Sequence, residues 1–277
     1  MLPFAAAIAS IILPAAAPAQ CPEKTVEVSR EVISTDDQET TKYHCHLIGK
    51  LSPDELKALT REALNNLSPE DRKQTDFLMR LQNANQRDQP TQAPIASDLT
   101  DRSAYRYFSV IEQFHVEQSP RYAPDVNTYC NIFVWDVTRA MNAEIPHWVI
   151  NDDPQASSAV GASGAFSVGP QDRQETRAND LVDWLKDYGQ AHGWRRVDAR
   201  MAEQMAEEGR PSIAIAANVD PSHAGHVAMI RPATVNDPRG PALTQAGRKD
   251  RDASHLVSIP AFTDPTELHP IQYWYHQ

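Results

Sequence analysis

Asn127-Thr128-Tyr129-Cys130-Asn131-Ile132-Phe133-Val134-Trp135-Asp136-Val137 is the stretch on which the fold turns. Pro124-Asp125 supplies a turn signal, and Asn127 or Thr128 can cap a helix by accepting an orphan backbone N–H. Beyond Cys130, apolar residues at Ile132, Phe133, Val134, Trp135, Val137, Ala140 and Met141 surround the helix axis, so the helix is expected to be central and buried. Pro146 ends the segment. Cys130 then falls in the first helical turn, where partial positive charge and free N–H groups favour thiolate over thiol. A reactive thiol and a small buried hydrophobe are the two readings of that position.

The remaining cysteines bear on the choice. Residues 1–19 read as a secretory leader: Leu2 to Ala17 is mostly apolar or small, and Ala17-Pro18-Ala19 offers a small-x-small cleavage site before Gln20. Cysteines of an exported protein usually pair. Cys21 and Cys45 flank two short extended segments that can form a hairpin, and a bridge between them leaves Cys130 as the unpaired thiol.

The chain has 277 residues, 41% of them hydrophobic, with a formal net charge of -11. An acidic chain of this kind is a poor partner for nucleic acid or an anionic membrane surface. No segment is long and apolar enough to be transmembrane. Residues 20–83 read as an accessory hairpin with short helices, the second opened by Ser68-Pro69-Glu70-Asp71 with Phe77, Leu78 and Leu81 as its apolar stripe. Residues 84–104 have linker composition, and 105–277 form the main domain.

Within that domain, 151–180 is a long polar loop and 178–191 a helix packed through Leu181, Val182, Trp184, Leu185 and Tyr188. From 212 the hydrophobic period changes to two, and strands are expected at 212–217, 225–230, 241–246, 255–259 and 271–275. Their short connections imply an antiparallel sheet packed by the Cys130 helix.

A nucleophilic cysteine needs a base within hydrogen-bond reach and a polar group to orient that base. His226 opens an apolar strand directly after Gly225, so it can face a cleft. Gln245 is the one amide on the next strand and can fix the imidazole, with Asn236 as the alternative. Trp148, beside His147, can line the cleft. His44, His46 and the His223/His226 pair offer another reading, a metal-binding envelope protein, although neither set has the spacing of a helical zinc site. A non-catalytic binding protein with Cys130 in its core is the third.

Cys130 at a helix start, the Gly225-His226-Val227-Ala228-Met229-Ile230 strand about a hundred residues later, and a polar residue on the next strand together resemble the NlpC/P60 and CHAP group of bacterial cell-wall hydrolases. Tyr129-Cys130-Asn131 departs from the Asp-Cys-Ser-Gly usual in the first of these. The resemblance implies an α+β, papain-like fold and a Cys130–His226–Gln245 triad. It implies no metal or other cofactor, and cleavage of amide bonds in peptidoglycan stem peptides by an exported, periplasmic or secreted enzyme. The Cys130 N–H is the expected oxyanion donor, with Tyr129 and Asn131 as further candidates. Any immunity or inhibitor protein is unknown.

Overall fold

The computed structural model describes the backbone of residues 25–35 and 38–47, and residues 67–277 apart from 157, 234 and 265. The expected leader and the Cys21–Cys45 bridge lie outside the described residues. The chain divides into two compact units, 1–72 and 73–277. In the first, β1 (Thr25–Thr35) pairs antiparallel with β2 (Gln38–Leu47), from Thr25 opposite Leu47 to Thr35 opposite Gln38, with a bulge at Glu27/Ser29. The expected hairpin is there, with strands longer than the alternating pattern suggests.

Helix α1 (Pro69–Leu81) starts as its sequence dictates. The Asp71 N–H donates to Ser68 Oγ at 3.1 Å, and Ser68 Oγ donates back to Asp71 Oδ2 at 2.7 Å. Phe77, Leu78 and Leu81 are buried.

The second unit is mixed α and β around one antiparallel sheet. Its strands are β5 (Trp194–Val197), β6 (Ser212–Ala216), β7 (His226–Ile230), β8 (Ala242–Gln245), β9 (Arg251–His255) and β10 (Gln272–His276), in the order β5-β10-β6-β7-β8-β9. The centre of the sheet, β6, β7 and β8, is buried at every position, so these strands have no solvent-facing side where a period of two would place one. The strand expected at 255–259 is shifted: β9 ends at His255, and Leu256–Ser258 is a 3-10 turn leading into Pro260. A polar edge strand, Arg-Asp-Ala-Ser-His, carries no apolar signature to reveal it.

Helices α2 (Ala104–Glu112), α3 (Cys130–Ala140), α4 (Ala178–Asp187) and α5 (Ala199–Glu207) cover the sheet. α3 lies against β7 and β8. It is buried along its length from Cys130 to Thr138, as its apolar surround requires. Phe133 of α3 meets Tyr122 and Phe114 edge to face, with ring centroids 5.4 and 6.5 Å apart. The long polar loop after Pro146 is closed by a small ribbon, β3 (Trp148–Ile150) with β4 (Arg173–Glu175).

Residues 84–100 differ from a free linker. Arg121, 2% exposed, donates to the carbonyls of Gln86 at 2.7 Å and Gln89 at 2.9 Å, and Gln113 bonds both the N–H and the carbonyl of Ile95. Polar side chains of the domain replace the apolar anchors that the segment lacks. The segment therefore belongs to the second unit, and it bonds α3 through Thr91 on Asp136 and the Ser97 N–H on the Ala140 carbonyl.

Candidate active site

The start of α3 and the start of β7 meet at Cys130, a free and buried cysteine. The sulfur lies close to the backbone N–H groups of Val227, Asn131 and Cys130 itself, which favour its thiolate form. Val227 directly follows His226, so the helix start faces the strand start. Neither Asn127 nor Thr128 caps this helix. Tyr129 occupies the capping position and makes no side-chain capping bond. An uncapped helix start leaves first-turn N–H groups directed at whatever sits beside them, and here that is the thiol.

His226 is 4% exposed and its ring stands edge-on to Phe262, centroids 4.9 Å apart. Gln245 sits on the neighbouring strand. Met229 pairs with Thr244 and Ile230 with Leu243, so the register carried one step further sets Gln245 opposite Ala228. His226 and Ala228 point to the same face, which makes Gln245 the diagonal neighbour of His226, within reach of a long side chain. Gln245 Nε2 donates to the Lys249 carbonyl at 2.7 Å. That bond leaves Oε1 as the free acceptor, and Oε1 is buried with no hydrogen-bond partner, as is His226 Nε2. Gln245 lies close enough to favour the protonated ring. Asn236 has no such relation to His226. It lies in the connection leaving the opposite end of β7, with φ +62° and its N–H on Glu203.

Burial sets the electrostatics. It pushes the Cys130 thiol up, and the three N–H groups offset only part of the rise. This reverses the direction expected from the helix start alone, because loss of solvent around a fully enclosed sulfur outweighs the partial charge of the helix terminus. Burial also pushes His226 down to about 4, with Gln245 opposing. At neutral pH the resting pair is thiol and neutral imidazole. Iodoacetamide is therefore expected to label Cys130 more slowly than free cysteine at pH 7, with the rate rising above the usual cysteine range. Rapid labelling at pH 6 would refute a neutral thiol.

Tyr129 and Asn131 do not offer their side chains to the sulfur. The Tyr129 hydroxyl donates to Asp125 at 2.8 Å and accepts from Arg87 Nη1 at 2.7 Å, while the Arg87 guanidinium lies 3.8 Å above its ring. Asn131 Nδ2 is 3.2 Å from His147 Nδ1 and 3.3 Å from both Glu175 Oε1 and the Thr176 carbonyl. The groups nearest the sulfur are backbone N–H groups. Trp148 is half-buried beside Phe166 and Arg173, its Nε1 on the Asp88 carbonyl. It is part of the ribbon that borders the helix start.

The sequence reading missed His147. It is 1% exposed, lies between Trp135 and Trp148, and holds the Asp88 carboxyl below its ordinary value from 3.9 Å. Nothing in the spacing of Asp88, Asn131 and His147 announces that they converge. The metal reading finds no support in the second unit: His223 is exposed and bound to Asp220, His226 is buried, and among the described residues no three potential ligands cluster. The side chains of His44 and His46 lie outside the described residues. Comparison with protein-family models, curated proteins and solved structures yields no match.

Proposed function

We propose that this chain is an exported cysteine peptidase or amidase with a papain-like arrangement, acting on amide bonds of peptidoglycan stem peptides. The observation that carries the reading is the placement of the Cys130 thiol at an uncapped helix start, against the N–H that follows His226. The coupling of Gln245 to the imidazole supports it. Peptidoglycan as the substrate rests on the resemblance of the Cys130, His226 and Gln245 pattern to wall hydrolases, and export on residues 1–19.

With both groups neutral at rest, His226 acts as a general base. It takes the thiol proton as the sulfur attacks the carbonyl, and Gln245 accepts from the imidazole N–H and fixes the ring. The oxyanion forms against the N–H groups at the helix start. The imidazolium then protonates the leaving amine, and water hydrolyses the thioester. Gln245 carries no charge, so it orients the ring without strongly stabilising the imidazolium.

The test is release of muropeptides from purified peptidoglycan by protein lacking residues 1–19, beside the Cys130→Ala variant, with products read by mass spectrometry. Release that disappears in the variant is the expected result, and the product masses identify the bond. A competing reading, a non-catalytic binding protein, draws on the 4% exposure of Cys130. Absence of release by the unmodified protein, with residues 20–72 present or removed, would overturn the wall-hydrolase reading and favour the binding protein.

A further inference from the structure

Cys130 and His226 are each 4% exposed. A substrate carbonyl cannot meet the sulfur until an element beside the pair moves. α3 and β7 are not free to do so. α3 is buried from Cys130 to Thr138, and β7 is buried at every position, with β6 on one edge and β8 on the other. A further neighbour of His226 is the connection between β9 and β10, which sets Phe262 against the imidazole with ring centroids 4.9 Å apart.

That connection is pinned at two places and weakly held between them. On one side the N–H groups of Leu256 and Val257 donate to the carbonyls of Pro241 and Arg239, at 3.0 and 3.2 Å. On the other, the His269 N–H donates to Ala217 at 2.9 Å and the Val219 N–H to Glu267 at 2.8 Å, with Leu268 bridged to Asn218. The helical turn Pro260–Thr263 lies between these anchors. Its surrounding backbone bonds are local: Ile259 N–H to Leu256, Phe262 N–H to Ile259, Asp264 N–H to Pro260. Among the described residues, no backbone group of 259–264 bonds the sheet or the covering helices. Pro260, Thr263 and Asp264 are exposed, and within 259–264 only Ile259 and Phe262 are buried. A segment with few buried side chains and exposed backbone bonds opens locally for much less than the cost of unfolding the domain.

Resting on the hydrolase reading above, we infer that residues 260–264 are a lid on the Cys130–His226 site, with Phe262 as its latch. In the closed state the phenyl ring holds the space beside His226. Swinging the turn outward about its two anchors uncovers the imidazole and the sulfur for the scissile amide, so Phe262 sets how often the site is open.

The test follows alkylation of the full chain by iodoacetamide at one pH and a series of urea concentrations, read at the Cys130 peptide by mass spectrometry. Labelling through local opening is flat at low urea, because little surface is exposed, whereas labelling through global unfolding rises with the full urea slope. Phe262→Ala is expected to raise the flat region by about tenfold or more, since it truncates the buried ring that holds the turn closed. Phe262→Leu should fall between it and the wild type. Leu185→Ala, in α4 and 0% exposed, is expected to lower the denaturation midpoint and leave the flat region where it was, which separates a lid from general loosening. A flat region equal in wild type and Phe262→Ala, or raised as much by Leu185→Ala, would overturn the inference. Muropeptide release by the wild type, with labelling unaffected by Phe262→Ala, would overturn the lid and leave the hydrolase reading intact. Faster labelling of Phe262→Ala, with no release by either protein, would support the lid and overturn the hydrolase.

Discussion

Asp136→Ala is expected to destabilise the second unit by about 3–5 kcal/mol, the cost typical of leaving one partner of a buried ion pair alone. Asp136 and Arg121 are 0% and 2% exposed, and the guanidinium is bidentate on the carboxylate, Nε to Oδ2 at 2.7 Å and Nη2 to Oδ1 at 3.1 Å. The Tyr122 hydroxyl donates to Oδ2 at 2.7 Å and Thr91 Oγ1 to Oδ1 at 3.1 Å. Burial, and then the negative charge of Asp136, push the Tyr122 phenol well above its ordinary value, so it serves as a neutral donor. Removing the carboxylate strands a charged guanidinium, a phenol and a threonine hydroxyl together. The midpoint of chemical denaturation measures the loss. Arg121→Met with Asp136→Leu is expected to recover much of it, because no charge is then left buried. The same arginine holds the carbonyls of Gln86 and Gln89, so limited proteolysis of Asp136→Ala should open near 84–91 first. A loss under about 1 kcal/mol would show that the network is solvated rather than buried.

This network explains where sequence reading stops. The apolar period of α3 is legible because burying a helix on all sides demands apolar residues at nearly every position, and β6 and β7 are legible for the same reason. Asp136 stands in that run as a lone acid, and its partners are 15, 14 and 45 residues away. A segment of Asn, Gln, Pro and Asp looks like a linker when its anchors lie elsewhere in the chain. His226 is the one polar residue of β7 and Gln245 the one amide of β8, and the register between the two strands makes them diagonal neighbours. The cap of α3 was misread because Asn127 and Thr128 are good capping residues by type, yet the helix starts at Cys130 with Tyr129 before it. The direction of the Cys130 shift was misread too. The helix terminus is visible in the sequence, whereas the complete enclosure of the sulfur depends on β7, a hundred residues away.

His226→Phe separates the two roles of that residue, since a phenyl ring keeps the packing against Phe262 and removes the base. Loss of general-base catalysis is expected to lower kcat/KM by about 10²–10⁴. In the wild type the acid limb of kcat/KM should fall near pH 4 rather than near 6.5, because burial holds the imidazole neutral until then. Stability gives an independent reading of the same shift. Between pH 6.5 and 4 the unfolded chain takes up a proton on His226 and the folded chain does not, so acidification through this window favours unfolding. Two other groups act in the same range. Burial, followed by the charge of Arg102, pushes His276 down to about 4, with the same sign, whereas burial pushes Asp250 up to about 6. A folded carboxyl that holds its proton to higher pH gains stability on acidification, so Asp250 opposes the histidines. A wild-type curve alone therefore blurs the effect, and the difference between wild type and His226→Phe isolates it. That difference should shrink by about 3 kcal/mol as pH falls from 6.5 to 4. A constant difference across the window, or an acid limb of activity near 6.5, would place the His226 ring in solvent. Activity retained in His226→Phe would remove the residue from the role of base.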